Sequence, residues 1–148
     1  MGEENLREVY RNLFTSQDKY TYFILAATIT AIGFTITKTQ NLKLSLTQIP
    51  LGISVICWGL SFFFGCRNRA YCNSILYANY DLLKVQSGQH REVGSHPQYI
   101  QEASEGIIEA MNTNSNKANK LGNLQTRMFI IGSVFYVCWH ILEMYLRK

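Results

Sequence analysis

Charge is scarce in this sequence. Asp, Glu, Lys and Arg make up 16% of the 148 residues, against about 25% in an average soluble domain. That shortage excludes a disordered or supercharged chain, and the net charge of +4 is too small to mark a nucleic-acid binder without a clustered basic patch. No nucleic-acid partner is expected. Cysteine occurs four times, at positions 57, 66, 72 and 138, without a CxxC pair, so neither a disulfide framework nor a zinc knuckle is indicated. Catalytic signatures are missing as well. No phosphate-binding loop, HExxH, GxSxG or pair of carboxylates on different apolar segments is present, and the expectation is a protein that is not an enzyme and holds no cofactor. His90 and His96 flank a Gly-containing turn without Cys nearby and read as loop histidines, so no metal site is assigned.

The charges that exist are unevenly placed. None lies between Tyr20 and Thr37, none between Leu44 and Cys66, and only Glu143 between Met128 and Leu146. A helix needs roughly 20 apolar residues, with a range of about 17–25, to cross a bilayer. Segments 20–37, 49–66 and 128–146 meet that length, and tyrosines and phenylalanines cluster near their ends, as in interfacial belts. The acidic residues Glu3, Glu4, Glu8 and Asp18 before the first run argue against a signal peptide. The expected fold is all-α and integral to a membrane, a single membrane domain with three spans. Residues 1–18 form an amphipathic N-terminal helix, on the 3–4 spacing of Leu6, Val9, Tyr10, Leu13 and Phe14. Residues 67–127 form a cytoplasmic helical hairpin.

The hairpin is read from its own pattern. Tyr71, Ile75, Ala78, Leu82 and Val85 recur at helical spacing, and neither Pro nor Gly interrupts from Cys66 to Ser87. One helix from Ile49 to Gln86 follows. A break is expected from Ser87-Gly88 to Gly94, then a new helix with Ser95 as cap, Gln98 completing a capping box, and Pro97 in the first turn. Ile100, Ile107, Met111, Ala118 and Leu121 carry that helix onward. The Asn-rich stretch 111–119 predicts a fray or kink, and the 38–48 connection an extended loop.

Basic residues near the ends of the spans set orientation. Arg7, Arg11, Lys19, Arg67, Arg69, Lys117, Lys120 and Arg127 lie on one side; Lys38, Lys43, Arg147 and Lys148 lie on the other. The first side is expected to be cytoplasmic, with the C-terminus outside.

Small residues mark helix-packing faces in lipid. Ala26, Thr30, Gly33 and Thr37 share one face of the first span, opposite Thr21, Thr28 and Thr35. Ser54, Cys57, Ser61 and Gly65 share one face of the second, and Gly52 and Gly59 another. Two small faces per helix exceed what three helices of one subunit require, so a homo-oligomer is expected. In the third span Ser133, Tyr136, His140, Glu143 and Arg147 form one polar stripe. Either Glu143 pairs with Arg147 and His140 bonds another helix, or the stripe lines a pore once subunits assemble; a short proton relay is the remaining reading.

The two closely spaced spans 20–37 and 49–66, the long helix 67–86 leaving the second, and the helical lead 5–16 resemble the small bacterial membrane effectors of anti-phage defence called SLATT, two-span hairpin proteins. The chain departs from them in its third span. The resemblance implies a homo-oligomer that permeabilises the membrane and arrests growth, with a separately encoded sensor as a cytoplasmic protein partner. The rival expectation is a non-conducting membrane anchor that docks a soluble partner through its hairpin.

Overall fold

The computed structural model describes residues 2–40 and 46–146. Three long helices account for nearly all of them: α1 (Gly2–Thr39), α2 (Ile49–Gln86) and α3 (Pro97–Leu146), with one 3-10 turn at Leu46–Gln48 before α2. Among the described residues there is no strand. Each of the three contains a stretch long and apolar enough to cross a membrane.

The N-terminal lead and the first apolar run are one helix rather than two. Neither Gly nor Pro occurs from Glu3 to Ile32, so nothing in the chain costs the roughly 1–3 kcal/mol that would end the helix between them. The 38–48 connection is not extended throughout either, because helix persists to Thr39 and resumes at Leu46; residues 41–45 lie outside the described part. The chain also divides into two compact units, Met1–Gly65 with Leu124–Lys148 and Cys66–Asn123.

The first unit is a three-helix bundle. Tyr20 and Thr126 hydroxyls meet at 3.5 Å, while Phe34 and Lys38 share a cavity with Tyr136 and Met144; α1 and α3 therefore run parallel. The Ser61 hydroxyl donates to the Gln125 carbonyl at 2.8 Å, and seven residues away on each helix Gly132 lies beside Ser54, so α2 runs antiparallel to α3. Buried positions on α2 are Leu51, Ser54, Trp58, Ser61 and Gly65, alternating by three and four; α3 buries Gln125, Gly132 and Trp139 at steps of seven. A seven-residue repeat keeps one seam facing its neighbours when helices cross at about 20°.

What that seam contains is unusual for a water-soluble bundle. Thr28, Thr35, Ser54, Ser61 and Gln125 are buried there, whereas Phe23, Ile29, Phe34, Ile36, Ile56, Phe63, Ile130, Val134, Val137 and Ile141 are exposed. Soluble proteins distribute these residues the other way. The buried threonines do not cross-link helices. Thr28 donates to the Ile24 carbonyl at 2.6 Å and Thr35 to that of Ala31 at 2.8 Å, each within its own helix. They serve by being small, letting backbones approach and build dispersion contacts. Gly132 is the closest case: a Cβ there would stand 2.7 and 2.8 Å from the Trp58 ring and 3.1 Å from the Ser54 carbonyl oxygen.

The second unit pairs the remainder of α2 with the start of α3. Tyr71, Ile75, Ala78 and Leu82 are half-buried and Val85 is buried, against half-buried Ile100, Ile107 and Met111 and buried Ala118. The expected stripes thus face each other. Asn68 donates from Nδ2 to the Ala118 carbonyl at 2.6 Å. The helix runs unbroken through 111–119 rather than fraying, with Asn114 and Ser115 half-buried, where packing outweighs their weak propensity.

At the end of α2, Gly88 adopts φ +69°. Its N–H donates to the Val85 carbonyl and that of Gln89 to the Lys84 carbonyl, both at 3.0 Å, which is the Schellman stop for a helix. The N-cap of α3 is His96, not Ser95. The His96 carbonyl accepts from Ile100 N–H at 3.1 Å, the bond an N-cap residue supplies. Pro97 then takes the first helical position, where its missing N–H costs nothing.

Candidate functional site

The polar stripe of the third span does not stay together. The Ser133 hydroxyl is turned back to the Phe129 carbonyl of its own helix at 2.9 Å. Tyr136 is half-buried between two tryptophans, with ring centroids 5.5 Å from Trp58 and 5.7 Å from Trp139. His140 is exposed and tilts against Trp139 at 6.3 Å. Glu143 is half-buried. The expected Glu143–Arg147 pair falls outside the described residues.

Tyr136, His140 and Glu143 nonetheless share a lateral cavity of about 440 Å³, completed by Phe34, Lys38, Trp139 and Met144. Lys38 comes one residue after the uncharged run of α1, and its ammonium stands 5.6 Å from the Phe34 ring centre. Among the described residues, no ion pair or hydrogen bond joins Lys38, His140 and Glu143. The cavity therefore brings together a basic and an acidic side chain, an imidazole and three aromatic residues. Sequence reasoning missed Lys38, Phe34 and Trp139 as members. The signal for Lys38 was available: of three expected spans the first and third run in the same direction, and Lys38 and Glu143 both sit where an uncharged run ends.

The small-residue faces separate into two classes. Ser54 and Ser61 are fully buried within the unit, and Cys57 is half-buried beside them. Ala26, Thr30, Gly33 and Thr37 are exposed, because α1 turns the opposite face, Thr28 and Thr35, inward. Gly52 and Gly59 are also exposed; a Cβ at Gly33, Gly52 or Gly59 would meet nothing within 4 Å. The hydroxyls on the uncovered face of α1 are satisfied within the helix, Thr30 by the Ala26 carbonyl at 2.9 Å and Thr37 by that of Phe34 at 2.8 Å. That face is smooth, and its hydroxyl donors need no water.

Several buried donors have no partner among the described residues: Trp58 Nε1, Trp139 Nε1, Gln125 Nε2 and the Ser54 hydroxyl. All four belong to the three-helix unit. The four cysteines are free thiols, and no group of three or more His, Cys, Asp or Glu among the described residues is placed to hold a metal ion. In the second unit His90 lines a shallow cavity with Asp81, Lys84, Gln89, Arg91 and Glu92. His96 is not part of it, and stacks on Tyr99 at 5.1 Å instead.

No protein-family model matches this chain, and no curated protein or solved structure is significantly similar to it.

Proposed function

We propose that this chain is an integral membrane protein that assembles with copies of itself and acts as an effector, opening a pore in the bilayer or disturbing it. Insertion is supported by the inverted distribution of residues in the three-helix unit, with small polar groups inside and Phe, Ile and Val outside, since contiguous apolar surface on this scale needs a covering. In the proposed topology Cys66–Asn123 and the N-terminus are cytoplasmic and the C-terminus lies outside, following the basic-residue bias; a bacterial inner membrane is what the resemblance to SLATT effectors implies.

The observation that carries self-assembly is the set of uncovered small residues. Ala26, Thr30 and Gly33 on α1 and Gly52 and Gly59 on α2 are exposed, and the glycines have open space beside them. Small faces of this kind admit the close helix contacts on which association in lipid depends, and a second copy of the chain offers the complementary face. In a ring of such copies, His140 is the exposed polar group of the third span and the natural pore-facing residue. The resemblance to SLATT effectors points the same way, toward permeabilisation triggered by a separate sensor.

Mass measurement in mild detergent tests this reading. The wild type should form one closed oligomer, and Gly33→Leu with Gly59→Leu should dissociate it while leaving the subunit folded. A wild-type monomer defeats the proposal.

A second reading has an observation of its own. Leu76, Tyr77, Tyr80 and Leu83 are exposed on the Cys66–Asn123 unit, which suits a non-conducting anchor that docks a soluble protein. Stable oligomers without conductance or toxicity favour that alternative.

A further inference from the structure

The lateral cavity between α1 and α3 has a composition that helix packing does not require. Packing in lipid is served by small residues, as in the seam of the same unit. Here instead a lysine and a glutamate face one space of about 440 Å³, within the roughly 300–1,000 Å³ of ordinary ligand sites. They are not joined to each other by a hydrogen bond or ion pair of the described residues. Lys38 and Glu143 bring opposite formal charges to the cavity. A free anion or a free cation would meet one favourable and one unfavourable charge, whereas a group carrying both signs meets two favourable ones.

The walls narrow the ligand further. Phe34, Tyr136 and Trp139 line the cavity, and aromatic rings attract an ammonium through the ring quadrupole, as Phe34 already does for Lys38 at 5.6 Å. Lys38 supplies the donor for a phosphate, and Glu143 the acceptor for an amine. The cavity's depth in the bundle selects between a dissolved and a membrane-borne ligand. Lys38 directly follows the uncharged run of α1 and Glu143 lies three residues from the end of α3, the level at which apolar helix surface gives way to headgroups. Ile36, Ile141 and Leu142, outward-facing and exposed, border the same helical turns and suit acyl chains.

We infer that this cavity binds the headgroup of a zwitterionic phospholipid, with the phosphate on Lys38 and the amine held by Glu143 and the aromatic walls. The site requires that the chain sit in a bilayer but not that it conduct, and it is complete within one subunit.

The test equilibrates purified protein with mixed micelles holding equal amounts of phosphatidylethanolamine and phosphatidylglycerol, then counts retained lipid by mass spectrometry. The wild type should retain the zwitterionic lipid several-fold over the anionic one. Lys38→Gln, a change at an exposed residue, should lower retention roughly tenfold, the loss of one charge-assisted contact. Glu143→Gln should abolish or invert the preference, because the remaining lysine favours the anionic lipid. Lys117→Gln, in the other unit, should change nothing. Tryptophan fluorescence of each variant confirms that the bundle is intact. Equal retention of both lipids by the wild type, or unchanged retention in Lys38→Gln, overturns the inference. Dissolved phosphoethanolamine that binds in the absence of any lipid retention overturns the lipid as its source. An oligomer lost without loss of lipid retention leaves this site standing and defeats only the self-assembly reading.

Discussion

Gly132→Ala is a small change with an outsized expected effect. The new methyl would lie 2.7 and 2.8 Å from two atoms of the Trp58 ring and 3.1 Å from the Ser54 backbone oxygen. The tryptophan is buried and stacked on Tyr136, and the oxygen belongs to a helix, so the strain is relieved only by moving α2 away from α3. Such overpacking costs about 1–3 kcal/mol. Replacing a helical glycine by alanine returns about 1 kcal/mol, leaving a net loss of about 0–2 kcal/mol. Gly52→Ala and Gly59→Ala place their methyls in open space, and in an isolated subunit each should gain about 1 kcal/mol from propensity alone. The assay is unfolding by sodium dodecyl sulfate of subunits first dissociated in a harsher detergent, followed by tryptophan emission; the two tryptophans, Trp58 and Trp139, are both buried in this unit. A Gly132→Ala protein stabilised as much as Gly52→Ala and Gly59→Ala would refute the packing of α2 against α3 described above.

Other predictions address the two units and the stripe separately. Asn68→Ala removes the bond to the Ala118 carbonyl and should destabilise the second unit by about 1 kcal/mol, visible as faster amide exchange around Ala118. Ser61→Ala removes the bond to the Gln125 carbonyl, and within lipid that should cost only about 0.6 kcal/mol, read in the same detergent titration. Gly88→Ala forces a Cβ into φ +69° and should cost about 1 kcal/mol, measured as a lower thermal midpoint of the second unit's helicity. His140→Leu should leave oligomer mass unchanged and alter conductance in planar bilayers; loss of assembly instead would make His140 a packing residue.

Much of the fold was legible because its punctuation is strong. The gaps in charge located all three apolar segments, the absence of Gly and Pro from 66 to 86 predicted one helix to Gln86, and Ser87-Gly88 with Pro97 marked its stop and the next start. The first junction was misread because an amphipathic lead and an apolar run differ in surroundings, not in backbone, and no breaker separates them. The cap moved by one residue because a serine at position 95 and a histidine at 96 both precede Pro97, and only the backbone decides which carbonyl accepts the first bond. The choice between the two small faces of α1 could not be made from residue type. Thr28 and Thr35 inside, and Ala26, Thr30 and Gly33 outside, are alike in size, and each of these threonines satisfies its hydroxyl on its own helix. The charged cavity was half visible: His140 and Glu143 stood out in an uncharged run, whereas Lys38 resembled an ordinary flanking residue until its pairing with α3 was known.

Dye release from liposomes tests the proposed activity most directly. Purified wild-type protein reconstituted into vesicles loaded with a self-quenched dye should release it, and the Gly33→Leu, Gly59→Leu protein at the same density should not. Vesicles that stay sealed around a correctly inserted wild-type oligomer would contradict a permeabilising effector and leave the non-conducting anchor in its place.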